Sequence, residues 1–234
     1  MRNAKKIPRY LTIREVEKLK KIPLSDVKFY DKILKSNGPI PRYKDKRSLQ
    51  NIIFDSKQLY TIICLFYATG MRLNELASLN VTDINFERSV VRVFGKGSCE
   101  RECFITESCM QVLEKWLKIR ETRAHELNPA LFINKKGYRR INNYHIQLKI
   151  AEYGKRAGIN HKVSPHQLRH SVATHLLDKM HVYSLDCNRF TLYASFGDYF
   201  DGDIIRPHPT GGYENCIVDS IKNINLLWED YLWN

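Results

Sequence analysis

The sequence lacks any apolar run that could span a membrane. None of its 234 residues falls in a stretch approaching the roughly 20 consecutive apolar residues that a bilayer requires. The amino terminus, Met-Arg-Asn-Ala-Lys-Lys, is not followed by an apolar segment, so it does not have the pattern of a secretory signal peptide. We therefore expect a protein of the cytoplasm that makes no membrane contact.

Paired cysteines are also missing. No Cys-x-x-Cys spacing occurs among the 6 cysteines, which are Cys64, Cys99, Cys103, Cys109, Cys187 and Cys216. Reduced thiols are therefore favoured over a disulfide framework or a zinc site. No internal repeat is visible, and no cluster of acids has the spacing of a cation site, which disfavours a metal-dependent nuclease. We expect neither a metal nor another cofactor.

The chain has fewer acidic residues than basic ones. The chain has 25 Asp and Glu against 38 Lys and Arg, giving a formal net charge of +13. Such an excess favours a polyanionic partner over a small acid, although a basic protein without such a partner is the alternative on charge alone. With 43% hydrophobic residues, the chain can bury a core and should form one domain, with or without an appendage.

Most of the remaining pattern is helical. Thr12 and Glu15 are spaced as a capping box, which predicts a helix beginning near the amino terminus. Between Pro23 and Asp55 the pattern degrades, and residues 35–47 have the composition of an exposed basic loop, either a solvated surface or a contact for phosphate. A further helix should end at Gly70 in a left-handed cap, since apolar residues at helical spacing precede it, namely Leu59, Ile62, Ile63, Phe66 and Tyr67.

Two short β-type runs, at residues 90–94 and 101–105, flank a turn that carries Lys96. Helices should follow from Thr106 and over residues 143–156. The sequence therefore predicts an α+β domain that is mainly helical and has one small antiparallel sheet.

The most informative stretch is Ser-Pro-His-Gln-Leu-Arg-His-Ser-Val-Ala-Thr-His, residues 164–175. Ser164 suits the N-cap of a helix, and Pro165 suits its first turn. His166 and Arg169 then lie three residues apart on one face, where they can hold one anionic oxygen. The core-facing side should consist of Leu168, Val172, Leu176 and Leu177.

A second unusual segment is Ala-Thr-Gly-Met-Arg-Leu-Asn-Glu-Leu, residues 68–76. It places Arg72 at the start of a helix, where a guanidinium adds its charge to unpaired backbone donors and favours phosphate binding. In isolation, a salt bridge between Arg72 and Glu75 is the simpler interpretation. Taken together with Lys96, His166 and Arg169, the phosphate site is favoured.

These segments resemble the motifs of tyrosine recombinases, the phage-integrase and Xer-type family. Residues 69–76 are similar to the first arginine box of that family, Gly95-Lys-Gly97 to its lysine hairpin, and residues 166–177 to its second arginine box. Residues 8–12 also resemble the usual entry into the catalytic domain. The resemblance extends to Asp178, with the motifs in the family's order.

The resemblance implies a role for each matching residue. Arg72 and Arg169 would clamp the non-bridging oxygens of the scissile phosphate and neutralise charge in the transition state. Lys96 would protonate the leaving 5′ oxygen, and His166 would bind the phosphate and assist proton transfer. Glu75 and His170 would support the site, although a packing role for His170 is an equal alternative. The nucleophile would be a tyrosine that forms a 3′-phosphotyrosyl intermediate.

Beyond Lys179 the resemblance ends. At the positions where the family has its Gly-His or Gly-Trp box and its tyrosine, this chain has Leu192 and Asp201. Tyr199 lies closest to the expected spacing, and Thr-Gly-Gly-Tyr213 echoes the family's Thr-x-x-Tyr, so both are candidate nucleophiles, with ordinary burial as the alternative for each. A rearranged or frameshifted gene end is a further explanation for the divergence.

The resemblance thus implies a catalytic domain over residues 1–180, without the N-terminal core-binding domain of the family, and a divergent segment over residues 181–234. The implied function is site-specific recombination or integration of a mobile element, by cleavage and rejoining of DNA strands. The alternative is a DNA-binding remnant or regulator that lacks the nucleophile. The implied partners are double-stranded DNA and further recombinase subunits, in the cytoplasm at the nucleoid.

Overall fold

The computed structural model describes residues 9–36, 45–95 and 100–183. Within these ranges the chain forms helices packed around one small sheet, as the sequence predicted. The helices are α1 (Ile13–Lys35), α2 (Lys46–Thr69), α3 (Leu73–Ser78), α4 (Glu107–Glu121), α5 (Asn143–Arg156) and α6 (Pro165–Tyr183). The strands are β1 (Ile84–Asn85), β2 (Val90–Phe94) and β3 (Glu100–Phe104), with a 3₁₀ turn at Val81–Asp83.

The first helix begins where the capping box predicted. Thr12 Oγ1 accepts a hydrogen bond from the backbone N–H of Glu15 at 3.2 Å, and Glu15 Oε2 accepts one from the backbone N–H of Thr12 at 2.8 Å. These reciprocal bonds satisfy donors that the first helical turn would otherwise leave unpaired.

The expectation that the helical pattern degrades after Pro23 was wrong. Helix α1 continues through Pro23 to Lys35, and α2 already begins at Lys46, so the ends of the expected basic loop are helical. The second half of α1 is held by tertiary contacts of Asp26, whose carboxylate accepts a 2.9 Å hydrogen bond from Tyr153 Oη and two hydrogen bonds from the Arg156 guanidinium. Residues 37–44 lie outside the described part of the chain.

Helix α2 forms the centre of the core. Its apolar residues pack with those of α4 and with the segment after α4. Trp116 of α4 is buried, and its Nε1–H donates to the backbone oxygen of Leu131 in that segment at 3.0 Å. The helix ends as predicted at Gly70, which has φ 58° and ψ 19° and donates its N–H to the Phe66 oxygen at 2.8 Å. This left-handed cap turns the chain directly into α3 and places Arg72 at the start of that helix.

The sheet has the order β1-β2-β3 and is antiparallel throughout. Strands β2 and β3 lie where the sequence predicted them, within one residue, and Val91 pairs with both Ile84 and Cys103. Strand β1 was not predicted, because its two residues are too short to show alternation. Residues 96–99, which join β2 to β3 and include Lys96, lie outside the described residues.

The described helices include none with a segment apolar enough to cross a bilayer. Cys64, Cys103 and Cys109 are free thiols, as expected, and burial is the main reason that the pKa of each thiol is raised. Cys99, Cys187 and Cys216 lie outside the described residues.

Helix α5 approaches the segment that leads into α6 very closely at Gly154. A Cβ atom built on Gly154 would lie 2.4 Å from Cγ2 and 2.7 Å from Cβ of Val163, which is fully buried. Glycine at this position therefore allows Val163, and with it the start of α6, to pack against α5.

Replacing Gly154 by alanine should destabilise the fold. Alanine in a helix interior is normally favoured over glycine by about 1 kcal/mol, but overpacking against a stiff valine costs about 1–3 kcal/mol. We expect Gly154→Ala to lower the free energy of unfolding, measured by urea denaturation, and to cost less in a Val163→Ala background, where Cγ2 is gone. Equal or higher stability of Gly154→Ala in the wild-type background would contradict this packing.

Candidate anion-binding site

Helix α6 begins as the sequence predicted. Ser164 Oγ accepts a hydrogen bond from the backbone N–H of Gln167 at 3.3 Å, and Gln167 Oε1 accepts one from the backbone N–H of Ser164 at 3.1 Å. The helix buries Leu168 and Val172, while His166 is exposed. The side chains of residues 176–183 lie outside the described part, so the expected burial of Leu176 and Leu177 stays a prediction.

A cavity of about 380 Å³ opens at the start of α6. It brings together Arg72, His166 and Arg169, which are three of the predicted site residues and come from two distant segments. Of the other predicted site residues, Lys96, Tyr199 and Tyr213 lie outside the described residues, whereas Glu75 and His170 are described but do not line the cavity. The other side chains that line the cavity are Met71, Leu73, Gln147, Lys162, Val163, Ser164 and Pro165.

The lining is cationic. Arg72, Lys162 and Arg169 contribute positive charge, and the described residues that line the cavity include no aspartate or glutamate. Sequence reasoning missed Lys162 and Gln147, because neither belongs to a motif with a chemical signature. Lys162 lies only four residues before His166, so a survey of basic residues flanking the α6 motif would have found it. Such a lining attracts an anion.

Arg169 is anchored where the two segments meet. Its side chain is 6% exposed, and Nη1 donates a 2.7 Å hydrogen bond to the backbone oxygen of Gly70. Since Gly70 is the residue that turns α2 into α3, this bond fixes the guanidinium of α6 beside the turn that leads to Arg72.

Arg72 and Glu75 form the ion pair that was the simpler interpretation of this segment. Arg72 Nη1 lies 3.3 Å from Glu75 Oε1, and the backbone N–H of Arg72 donates to Glu75 Oε2 at 2.8 Å. The ion pair and the cavity position are compatible, because Arg72 also lines the cavity. The carboxylate is therefore placed to hold the guanidinium beside the cavity.

A second arginine, which sequence reasoning missed, holds the same carboxylate. Arg101 on β3 donates to both oxygens of Glu75, from Nη1 to Oε1 at 3.0 Å and from Nη2 to Oε2 at 2.7 Å. Glu75 is only 5% exposed. A buried carboxylate needs charged or hydrogen-bonding partners, which accounts for the second cation, and no motif of the sequence marked Arg101 as that partner.

The electrostatics of this cluster keep Glu75 ionised. Burial by itself would raise the pKa of Glu75, but the hydrogen bonds from Arg101 and Arg72 and the charge of Arg101 outweigh burial and lower that pKa below its usual value. The hydrogen bonds to Glu75 in turn raise the pKa of Arg101.

Two further histidines of α6 lie in an aromatic cluster. His170 is half-buried, and its ring centroid lies 6.5 Å from that of Tyr10 in an edge-on arrangement. His175 is buried, with Nδ1 2.9 Å from Tyr67 Oη. Neither histidine is among the described residues that line the cavity. These contacts are those of packing, and a supporting role for His170 stays a prediction.

The described residues contain no group of three or more histidine, cysteine, aspartate or glutamate side chains that could hold a metal ion. The chemistry that the cavity itself offers is the binding of an anion by guanidinium groups and an exposed imidazole. Guanidinium groups match phosphate oxygens particularly well, because their N–H donors form a rigid planar fork.

Replacing Glu75 by glutamine should destabilise the fold at neutral pH, and the destabilisation should diminish in acid. The pKa of Glu75 is lowered on folding, so its ionised form stabilises the fold above its unfolded pKa, and this contribution is lost as the pH falls through its folded pKa. At pH 7 we expect Glu75→Gln to lower the free energy of unfolding by about 1–3 kcal/mol, the range for loss of charged hydrogen bonds.

The difference between wild type and Glu75→Gln should shrink in urea titrations at pH values below about 4, where the unfolded carboxyl becomes protonated and then the folded one. Glu102→Gln, which removes an exposed carboxylate paired with Arg88, is the matched control and should have little effect. A pH-independent difference for Glu75→Gln would contradict the ionised cluster.

The model of the phage integrase family matches residues 45–181, which is more than half of the chain. A second model, described as a family of unknown function (DUF6610), matches residues 152–229.

Tyrosine recombinase XerC of Vibrio cholerae serotype O1 is 39% identical over 117 residues, which cover 50% of this chain and 37% of the relative. XerC of a Shewanella species (strain ANA-3) is 34% identical over 150 residues, covering 62% of this chain and 50% of the relative. The chain thus spans half or less of the length of these relatives.

Solved structures show the same fold. The XerA recombinase superposes with a TM-score of 0.56 and 26% identity, over 74% of this chain and 52% of that protein. The XerH recombinase, in a post-cleavage complex with its difH substrate, gives a TM-score of 0.56 at 24% identity, which is a likeness of fold alone. Together with the family match over residues 45–181, these likenesses show that the chain belongs to the phage integrase family and carries a Xer-type tyrosine recombinase catalytic domain.

Proposed function

We propose that this chain binds double-stranded DNA and cleaves and rejoins its strands in site-specific recombination or integration. The observation that carries the proposal is the cationic cavity in which Arg72, His166 and Arg169 meet. Two guanidinium groups and an imidazole around one cavity suit a phosphodiester, whose negative charge increases as a nucleophile adds to phosphorus.

In the proposed reaction, a tyrosine oxygen attacks the scissile phosphorus and the bond from phosphorus to the 5′ oxygen breaks. The phosphate stays on the 3′ side as a phosphotyrosyl ester, which keeps the energy of the broken bond available for rejoining. Arg72 and Arg169 neutralise the non-bridging oxygens, and His166 binds the phosphate and assists removal of the tyrosine proton. Lys96 gives its proton to the leaving 5′ oxygen.

The positive charge that phosphoryl transfer requires comes, in this proposal, from the two arginines. Arg169 contributes a guanidinium whose direction is set by Gly70, and Arg72 one whose direction is set by Glu75. Because both groups are fixed before substrate binds, little reorganisation is needed during the reaction.

We assign residues 1–180 to the catalytic domain and residues 181–234 to a divergent C-terminal segment that carries the candidate nucleophiles Tyr199 and Tyr213. Support for this division comes from the phage integrase match, which ends at residue 181. The proposed partners are duplex DNA, attracted by the net charge of +13, and further copies of the recombinase on the same DNA, in the cytoplasm at the nucleoid.

A second candidate function is a DNA-binding regulator that retains the phosphate cavity without the nucleophile. It is favoured by the match of residues 152–229 to a family of unknown function, since that match includes both candidate tyrosines. The two functions differ in one observable, which is a covalent bond between protein and DNA.

Incubation with a nicked suicide substrate should trap a covalent protein–DNA adduct on denaturing gels. The nick lets the cleaved fragment diffuse away, so the phosphotyrosyl ester cannot be rejoined. We expect Tyr199→Phe or Tyr213→Phe to abolish the adduct, with the other substitution as the control. DNA binding without an adduct at any tyrosine would refute the enzyme and support the regulator.

Arg72→Ala and Arg169→Lys should each weaken DNA binding modestly, by about tenfold or less, and should abolish the adduct. Loss of one hydrogen bond costs about 0.5–1.5 kcal/mol net, which is about tenfold or less in binding. Adduct formation should suffer more, because the phosphate charge that the arginines neutralise is greatest in the transition state. Arg88→Ala removes a positive charge outside the cavity and controls for general electrostatics. If Arg169→Lys gave the same adduct yield as wild type, measured by quantitative gel densitometry, the role proposed for Arg169 would be refuted.

A further inference from the structure

We infer that Arg101 is a positioning residue, which holds the guanidinium of Arg72 at the cavity by fixing the carboxylate of Glu75. This inference rests on the proposed function, because it concerns the residue that the proposal gives to the scissile phosphate. Arg101 is not among the residues that line the cavity, so its effect has to pass through Glu75.

The hydrogen bonds run without a gap from Arg101 to Arg72. Arg101 donates to both oxygens of Glu75, at 3.0 and 2.7 Å, and this two-point attachment fixes the rotation of the carboxylate as well as its position. Glu75 Oε1 then receives Arg72 Nη1 at 3.3 Å. Rotation of the carboxylate would therefore change the direction in which Arg72 points.

Burial makes the arrangement rigid. The side chain of Glu75 is 5% exposed, whereas those of Arg101 and Arg72 are 27% and 35% exposed. Water competes weakly for a carboxylate at this depth, and an unpaired buried charge is strongly unfavourable. The carboxylate therefore has little freedom to leave the arginines, and the orientation that Arg101 imposes persists.

Arg101 also connects two parts of the proposed site. It lies on β3 directly opposite Val93 of β2, and these strands flank the connection that contains Lys96 in the sequence. Glu75 belongs to α3, which begins with Arg72 as its N-cap. The ion pair between Arg101 and Glu75 thus connects strand β3, which follows Lys96 in the sequence, to helix α3, which follows Arg72.

The same sheet supplies a matched control. Arg88 donates to both oxygens of Glu102 at 2.8 and 2.7 Å, the same two-point geometry, but the side chains are 59% and 39% exposed. Exposed pairs of this kind contribute little to stability, and neither residue lines the cavity. A difference between the two arginines therefore reports on Glu75 and Arg72, not on ion pairs of the sheet in general.

The experiment is a double-mutant cycle on binding of a linear DNA duplex, because phosphate contacts do not depend on base sequence. Adduct formation on a nicked duplex is measured in parallel. The variants are Arg101→Lys, Arg72→Ala and the double mutant, with Arg88→Lys as control. Arg101→Lys keeps the net charge and a cation beside Glu75, so the protein should remain folded, but it removes the two-point fork. Thermal melting verifies the folding of each variant.

We expect Arg101→Lys to weaken binding by a factor approaching that of Arg72→Ala, about tenfold or less, and to reduce the adduct. In the Arg72→Ala background it should cause no further loss, because its effect passes through Arg72. Arg88→Lys should match wild type in both measurements. An unchanged Arg101→Lys, an additive loss in the double mutant, or an equal loss in Arg88→Lys would overturn the inference.

The binding cycle also separates this inference from the proposed function. If wild type binds duplex DNA without forming an adduct, the enzyme is refuted, while non-additivity in the binding cycle still establishes Arg101 as a positioning residue. If wild type forms the adduct and the cycle is additive, the enzyme stands and the inference fails. Absence of duplex binding by wild type would overturn both.

Discussion

The buried carboxylate of Glu75 is the constraint on which the cavity depends. It lies at the meeting point of α3 and β3, with a backbone N–H and two guanidinium groups directed at its two oxygens. A carboxylate taken out of water loses several kcal/mol of hydration, and only charged partners with good geometry offset that loss. Because these partners offset the cost of burying the carboxylate, Arg72 is oriented by contacts within the protein and not by a ligand.

The second guanidinium is held by a different physical means. Arg169 donates to the carbonyl oxygen of Gly70, a backbone group that has no intrahelical partner because it follows the last turn of α2. One arginine is thus held by a buried charge and the other by an orphan carbonyl at a left-handed cap. The cavity between them is shaped by Val163, whose packing against α5 requires a glycine at position 154.

The parts of this arrangement that depend on residues adjacent in the sequence were predicted, and the parts that depend on distant contacts were not. Caps were predicted correctly at Thr12, Gly70 and Ser164, because capping depends on a few residues that are adjacent in the chain. The continuation of α1 beyond Pro23 was not predicted, since it depends on contacts of Asp26 with Tyr153 and Arg156, more than 100 positions away. Tertiary packing overrode the local signal there.

The same distinction holds for the site. Arg72, His166 and Arg169 belong to motifs whose residue types are unusual at their spacing, and the structure brings them to one cavity. Arg101 is the second residue of β3 and has no local pattern that sets it apart from the other arginines of the chain, because its partner is 26 residues away in the sequence. The burial of Glu75, which calls for a cationic partner, is seen only in the structure, so the sequence carried no signal for Arg101.

The residues proposed to bind phosphate and the tyrosines proposed to attack it belong to different parts of the sequence. The hydrogen bonds from Arg72 and Arg101 to Glu75 and from Arg169 to Gly70 join residues that lie within the match to the phage integrase family. The candidate tyrosines belong to the other family match, which begins in α5 and extends to residue 229. The proposed phosphate contacts therefore come from residues within the phage integrase match, whereas the proposed nucleophile comes from residues beyond its end at residue 181.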